Sequence, residues 1–211
     1  MSLPEYEAFW SARYRDAGDD YLFGTAPNKF LAAQAANFGD GVSVLSVADG
    51  EGCNSVWLAE QGCAVTATEI STVALEKAAK LARARHVAVD SVQADIFNWV
   101  WLNETFDAVV GIFIQFAGPD ERPRQLAGMK QAVRPGGLLF LQGYTPKQLE
   151  YGTGGPSTVE NLYTEALLRE VFCDWEIVLL REYDDLIEEG RAHSGRSALI
   201  DLIARKPARG K

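Results

Sequence analysis

The spacing of apolar and polar positions switches repeatedly between two periods along this chain. Val42, Val44, Leu45 and Val47 crowd a six-residue run that ends in glycines, the pattern of a short buried strand. Similar strand-like runs fall at 64–70, 91–94, 106–113, 138–142, 175–183 and 197–204. Helical runs fall between them at 54–61, 72–85, 120–133 and 162–172. The punctuation agrees. Gly62 stands where a helix end wants a left-handed residue, and Ser71 stands where a helix start wants a side-chain acceptor. Behind Ser71, Ala74, Ala78, Leu81 and Ala82 form one stripe, and Glu76 and Lys80 form an i,i+4 pair. Arg134, Pro135, Gly136 and Gly137 stop the next helix. The segment 144–156, rich in Gly, Tyr and Pro, reads as a long loop. The link 184–196 is too short for a crossover helix, so the last two strands are expected to run antiparallel.

Alternating strands and helices with an antiparallel finish predict an α/β sheet of about seven strands, mostly parallel, with helices on both faces. No internal repeat or linker interrupts it. One domain over 1–211 is expected, with an N-terminal helical lid segment at 1–40 and an α/β core at 41–206.

Composition removes several function classes. Twenty basic residues against 29 acidic ones give a net charge of −9, which repels a phosphate backbone and argues against a nucleic-acid partner. Cys53, Cys63 and Cys173 lack the spacing of a disulfide framework or a zinc site, so no metal is expected and a reducing, cytoplasmic setting is. The N-terminus lacks the apolar core of a secretory signal. The longest uncharged stretch, 108–119, is shorter than the roughly 20 residues a bilayer needs, so no membrane partner is expected either. The acids Glu182, Asp184, Asp185, Glu188 and Glu189 read as a solvated loop, and Arg205, Lys206, Arg209 and Lys211 as a frayed basic tail.

The candidate chemistry lies at the ends of the first three strands. Ala48, Asp49, Gly50, Gly52 and Asn54 make a glycine turn that runs straight into a helix. Such a turn lets the backbone approach a ligand and offers the free amides of a helix start. Glu69 ends the second strand about twenty residues later, where a carboxylate can accept two hydrogen bonds from a ribose diol. Ala94, Asp95 and Ile96 follow the third strand, an acceptor for an adenine amino group beside an apolar contact for the ring.

This order, continued by Phe106 to Val110 and by Arg134 to Gly137, resembles the class I S-adenosylmethionine-dependent methyltransferases. Two further segments, Trp10 to Tyr14 with Tyr21 to Asn28, and Tyr144 to Pro156, resemble a bacterial subgroup close to the tellurite-resistance-type and thiopurine-type methyltransferases. The resemblance implies a Rossmann-like doubly wound fold, S-adenosylmethionine as cofactor, S-adenosylhomocysteine as product and a small-molecule acceptor. It places Ile70 beside the adenine, Ile112 on the other side of the cofactor, and Trp10, Arg13 and Gly24 over the methionine end, with Arg13 meeting the carboxylate. Three positions depart from the pattern. Ser46 replaces an acid, Ala48 replaces the first glycine, and Gln115 stands where a His often follows the fourth strand. Asp49 is then the candidate partner for the methionine ammonium, with a cap on the following helix as its alternative role. Gln115, Tyr144 and Tyr151 are the candidates for the acceptor pocket. Gln cannot serve as a base, which favours a soft acceptor such as a thiol or a chalcogen oxyanion. Two other functions fit parts of the pattern: a non-catalytic S-adenosylmethionine-binding protein, and a nicotinamide-dependent oxidoreductase, which would want a different glycine spacing.

Overall fold

The chain divides into two units, one of residues 1–99 with 189–192 and one of residues 100–188 with 193–211. The computed structural model describes residues 3–209. Met1, Ser2, Gly210 and Lys211, and so the ends of the expected domain and of the basic tail, lie outside the described residues.

In the first unit the elements are α1 (Leu3–Asp16), α2 (Lys29–Ala32), β1 (Ser43–Ser46), α3 (Cys53–Glu60), β2 (Ala64–Glu69), α4 (Thr72–Ala84) and β3 (Asp90–Gln93). β1 pairs in parallel with β2, and β2 with β3. Ser71 caps α4 by accepting from the Ala74 N–H at 3.2 Å, and Gly62 turns the chain after α3 at φ +92. The predicted stripe of α4 is buried, and Leu81 and Ala82 pack on Val56 of α3.

In the second unit, which holds all of β6 except Glu189, the elements are β4 (Phe106–Ile112), α5 (Arg122–Ala132), β5 (Val133–Tyr144), α6 (Gln148–Tyr151), α7 (Glu165–Val171), β6 (Glu176–Glu189) and β7 (His193–Arg205). β4 and β5 are parallel, and β7 runs antiparallel to β5 from Leu138↔Arg205 to Tyr144↔Leu199. The described strands form one seven-stranded sheet in the order β3-β2-β1-β4-β5-β7-β6, the Rossmann-like arrangement expected from the sequence.

Several features differ from the sequence reading, among them the expected loop 144–156, which contains α6 because the Gln148 N–H bonds to the Thr145 carbonyl and Gly152 in the left-handed region closes the turn. β5 begins at Val133, because Val133 pairs with Phe106 before the chain bulges through 134–137 and resumes at Ala108↔Leu138. Gly137 is required there, since a Cβ would lie 2.6 Å from the Asp107 carbonyl. The acidic loop is strand: β6 runs to Glu189 and a three-residue turn leads into β7. Its acids have separate partners, Asp184 with Lys147 at 2.6 Å and Glu182 with the Glu165 N–H at 3.1 Å. The basic tail is also engaged. Arg205 pairs with Glu176, Lys206 donates to the Val133 carbonyl at 2.7 Å, and Arg209 pairs with Glu104.

Asp201 of β7 is buried between strands. It accepts from Gln142 Nε2 of β5 at 2.6 Å, and from Tyr183 Oη at 3.2 Å and Arg181 Nε at 2.9 Å, both of β6. No helix among the described residues is long and apolar enough to cross a membrane.

Candidate functional site

β1 delivers the chain into a turn whose backbone is left-handed three times, at Ala48 (φ +50), Gly50 (φ +64) and Gly52 (φ +92). The two glycines are enforced by close neighbours. A Cβ on Gly52 would meet the Cβ of Ala78 at 2.8 Å, and one on Gly50 would meet the Tyr14 hydroxyl at 3.0 Å. Ala48 has no such freedom and carries the strain of its Cβ, about 1–2 kcal/mol. Ala48→Gly is therefore expected to stabilise the protein by about 0.5–1 kcal/mol, the strain relieved less the greater chain entropy of glycine. A urea midpoint that falls would contradict this.

Asp49 faces the start of α3. Its carboxylate accepts from Ser46 Oγ at 2.6 Å and from the Ser55 N–H at 3.2 Å, and it also accepts from Ser55 Oγ. The structure thus shows Asp49 in the capping role, which Gly52 at the helix start has no side chain to fill. Ser46, the residue in place of the expected acid, supports it. Burial pushes the Asp49 carboxyl up to about 6. Cys53 follows at the first position of α3. Burial, then the nearby Asp49 and Glu189 charges, push its thiol up, so it is a packing residue rather than a nucleophile.

Glu69 ends β2, buried beneath the turn. Its Oε2 accepts from the Gly50 N–H and its Oε1 from the Ser71 N–H, both at 2.9 Å. Burial outweighs these bonds and pushes its carboxyl up to about 7. The Glu69 carbonyl accepts from the Ala94 N–H at 2.9 Å, which draws the end of β3 to the same place. Ala94 and Ile96 are buried and Ile70 is half-buried. Asp95 closes a small turn, accepting from the Phe97 N–H at 3.1 Å and from Asn98 Nδ2 at 2.6 Å. The turn residues, Glu69, Ile70, Ala94, Asp95 and Ile96 are therefore gathered at the carboxyl ends of three parallel strands of one unit, as the sequence predicts. A carboxylate has about four acceptor positions. The amides of Gly50, Ser71 and Ile70 engage Glu69, which leaves a position for a ribose hydroxyl. With apolar Ile70 and Ile96 beside it and side-chain-free backbone at Gly50 and Gly52, this donor and acceptor set fits an adenosine.

The N-terminal candidates are arranged differently from expectation. Arg13 is exposed, with its guanidinium over the Trp10 ring at 5.0 Å and the Phe9 ring at 5.6 Å. The α1 residue at the glycine turn is Tyr14, one helical position further on. Tyr6, Trp10 and Tyr14 recur every fourth residue, a stripe that could have identified it. Trp10 stacks on Tyr14 with ring centres 6.0 Å apart. Gly24 packs against the Gly190 backbone, and Asn54 Oδ1 accepts from the Asn28 N–H at 2.9 Å, so both hold the chain rather than line open backbone.

In the second unit Ile112 is half-buried at the end of β4, and Phe113 follows with φ +55. A non-glycine residue held in that region marks a locally over-determined backbone of the kind found at functional sites. The Phe113 ring stacks on Tyr144 at 4.6 Å and takes the His193 ring edge-on at 4.5 Å. His193 opens β7 rather than sitting in a loop, so the sheet brings an imidazole to the segment after β4. Gln115 is committed to the backbone. It is buried, its Oε1 accepts from the Tyr144 N–H at 2.5 Å, and its Nε2 donates to the carbonyls of Tyr144 at 2.9 Å and Asn161 at 3.3 Å. Gln115→Ala would leave those buried backbone groups unpaired, and a loss of about 2–4 kcal/mol in unfolding free energy is expected, measured by chemical denaturation. Tyr144 is buried in the Phe113 cluster. Tyr151 is part of a charged cluster instead, its hydroxyl donating to Asp184 at 2.7 Å and its ring 5.0 Å from the Arg196 guanidinium. Among the described residues no group of three or more His, Cys, Asp or Glu could hold a metal.

Comparison with known proteins agrees with this geometry. Residues 44–137 match the family model described as a methyltransferase domain. The rat (Rattus norvegicus) glycine N-methyltransferase is 34% identical over 113 residues, 46% of this chain and 39% of that protein. The match thus spans about two fifths of the length of that curated relative. Among solved structures, one described as the conversion of a disulfide bond into a thioacetal group during echinomycin biosynthesis aligns with a TM-score of 0.79 at 19% identity, over 98% of this chain and 94% of that one. TehB from Haemophilus influenzae aligns at 0.70 and 18%, over 95% and 66%. Magnesium protoporphyrin IX methyltransferase from Synechocystis PCC 6803, solved with bound SAH, aligns at 0.67 and 15%, over 97% and 99%. The sequence match to a methyltransferase domain is thus confined to residues 44–137, while the likeness to the solved structures extends over nearly the whole chain as a likeness of fold.

Proposed function

We propose that this protein transfers the methyl group of S-adenosylmethionine to a small-molecule acceptor with a soft nucleophilic atom, a thiol or a chalcogen oxyanion. The observation that carries the cofactor half is Glu69, a buried carboxylate at a strand end, bonded to the Gly50 amide of the adjoining turn. In this reading Glu69 holds the ribose diol, Asp95 accepts from the adenine amino group, and Ile70 and Ile96 flank the ring. The cofactor supplies an electrophilic methyl on a positively charged sulfur. The protein has to align the acceptor and exclude water, which is worth roughly 7–11 kcal/mol.

A soft acceptor is favoured because Gln115, engaged with Tyr144, offers no proton acceptor. The solved neighbour from echinomycin biosynthesis, whose described reaction is at sulfur, supports the same class. An amine is the second reading, favoured by the relative named for glycine N-methylation. In that case His193, beside Phe113, is the side chain to take the proton. Membership of the subgroup close to the tellurite-resistance-type enzymes belongs to this proposal, with TehB among the structural neighbours in support. So does a single cytoplasmic domain over 1–211, with no nucleic-acid or membrane partner, and the net charge of −9 supports the exclusion of nucleic acid.

Calorimetry with S-adenosylhomocysteine against NAD and NADP tests the cofactor. Assays of S-adenosylhomocysteine release with small thiols, tellurite, selenite and glycine test the acceptor. Tighter binding of NAD or NADP would overturn the methyltransferase reading in favour of an oxidoreductase. Binding without turnover on any acceptor would favour a sensor of the cofactor.

A further inference from the structure

Lys77 lies on α4, and none of the sequence motifs includes it. Its ammonium spends all three donors on different parts of the first unit. It donates to the Tyr14 carbonyl at 2.8 Å, to the Asp20 carbonyl at 2.8 Å and to Glu51 Oε1 at 2.9 Å. Glu51 is the residue between the two turn glycines. It is buried, and its other oxygen accepts from the Phe23 N–H at 3.3 Å. Tyr21 closes the set by donating to the Lys77 carbonyl at 3.1 Å. The Tyr14 carbonyl belongs to the last turn of α1, where carbonyls lack helical partners and a cation is favoured. One buried ion pair therefore fixes residues 14–23 at three points and joins them to the glycine turn, and the Tyr21 bond to the Lys77 backbone adds a fourth. The Tyr14 hydroxyl lies beside Gly50 as a result.

We propose that Lys77 and Glu51 form a latch that positions residues 14–23 over the glycine turn and so couples order in this segment to cofactor binding. Lys77 is a positioning residue here, and the inference rests on the cofactor reading above. The latch acts on the part of the turn that carries Glu51, whereas Glu69 and Asp95, assigned above to the nucleoside, are oriented by the amides of Gly50, Ser71 and Phe97 and make no bond to Lys77. Its loss should therefore weaken a ligand that extends along the turn more than one confined to the nucleoside. By reciprocity, a bound ligand should protect residues 14–23.

The test compares the wild type with the Lys77→Met/Glu51→Met double variant. Exchanging a whole buried pair for apolar side chains leaves no unpaired charge and is commonly tolerated. Glu51→Gln, which removes the charge and keeps the shape, is the milder companion. Trypsin cleavage after Arg13 and Arg15, followed by mass spectrometry, reads the segment. Calorimetry reads S-adenosylhomocysteine and adenosine. The double variant is expected to melt cooperatively, to be cut at least tenfold faster at Arg13 and Arg15, and to bind S-adenosylhomocysteine at least tenfold more weakly with adenosine changed less than twofold. Glu51→Gln should move each quantity in the same direction by less. S-adenosylhomocysteine should slow cleavage of the wild type and not of the double variant. Unchanged cleavage, or equal losses for both ligands, would overturn the latch while the cofactor reading stands. A wild type that binds neither ligand would overturn the cofactor reading and the coupling with it.

Discussion

Glu69→Ala is expected to weaken binding of S-adenosylhomocysteine by about 1.5–3 kcal/mol, the scale of hydrogen bonds to a charged group and roughly ten- to 150-fold in dissociation constant. The same change strips the Gly50 and Ser71 amides of their acceptor, both of them facing a buried carboxylate. A loss of stability of about 1–3 kcal/mol is therefore expected with it, from amides left without a partner. Glu69→Gln separates the two effects. Its carbonyl still serves one amide and accepts one bond from a diol, so both losses should be smaller. Calorimetry on variants shown by circular dichroism to be folded gives the result. An unchanged dissociation constant for Glu69→Ala would take Glu69 out of the cofactor site.

Opposite pH trends for stability and for ligand binding form the second large expectation. Burial pushes Glu69 up to about 7 from an ordinary 4.5, and Asp49 up to about 6 from an ordinary 3.8. Below the ordinary values both groups are protonated in the folded and the unfolded chain alike. Between the ordinary and the raised values the folded protein holds protons that the unfolded chain has released. Stability then falls as pH rises, by about 3 kcal/mol for each group across its window. Above pH 7 the loss is complete and the curve flattens. A ribose diol donates hydrogen bonds to the ionised form of Glu69, so affinity for S-adenosylhomocysteine moves the other way. It should rise with pH by about tenfold per unit well below 7 and level off above it. Melting temperatures and calorimetric titrations from pH 5 to 8 measure the two curves. Affinity that stays level across that range would contradict the diol assignment.

What could be read from the sequence was local along the chain. The glycine turn, Glu69 and the Ala94 to Ile96 segment each follow directly from a strand, and a strand that stops at a known residue fixes where the next residues lie. The side chains' partners were not local. Gln115 is a plausible pocket residue by position, yet its amide is claimed by Tyr144, 29 residues away. Lys77 reaches back 63 residues to Tyr14, and no periodicity encodes that. Arg13 and Tyr14 are neighbours in sequence but differ by about 100° around a helix, so a motif that spans both cannot say which faces inward. The end of β6 was hidden for another reason. Its acids break the alternation of apolar and polar positions, because Glu182, Asp184 and Glu189 are held by partners brought in by other elements.

Asp201 bears on how the antiparallel end of the sheet finds its alignment during folding. β6 and β7 are long and joined by a tight turn, and apolar side chains alone would tolerate sliding by two residues, since the same face stays inward. A slip of that size would move Asp201 away from Tyr183 and Arg181 together and take from a buried carboxylate its only cation among these partners. The misaligned hairpin would thus lie several kcal/mol above the aligned one, the penalty for an uncompensated buried charge. A single carboxylate in this way makes one pairing of two long strands distinguishable from its near-equivalents, before any ligand is present to select it.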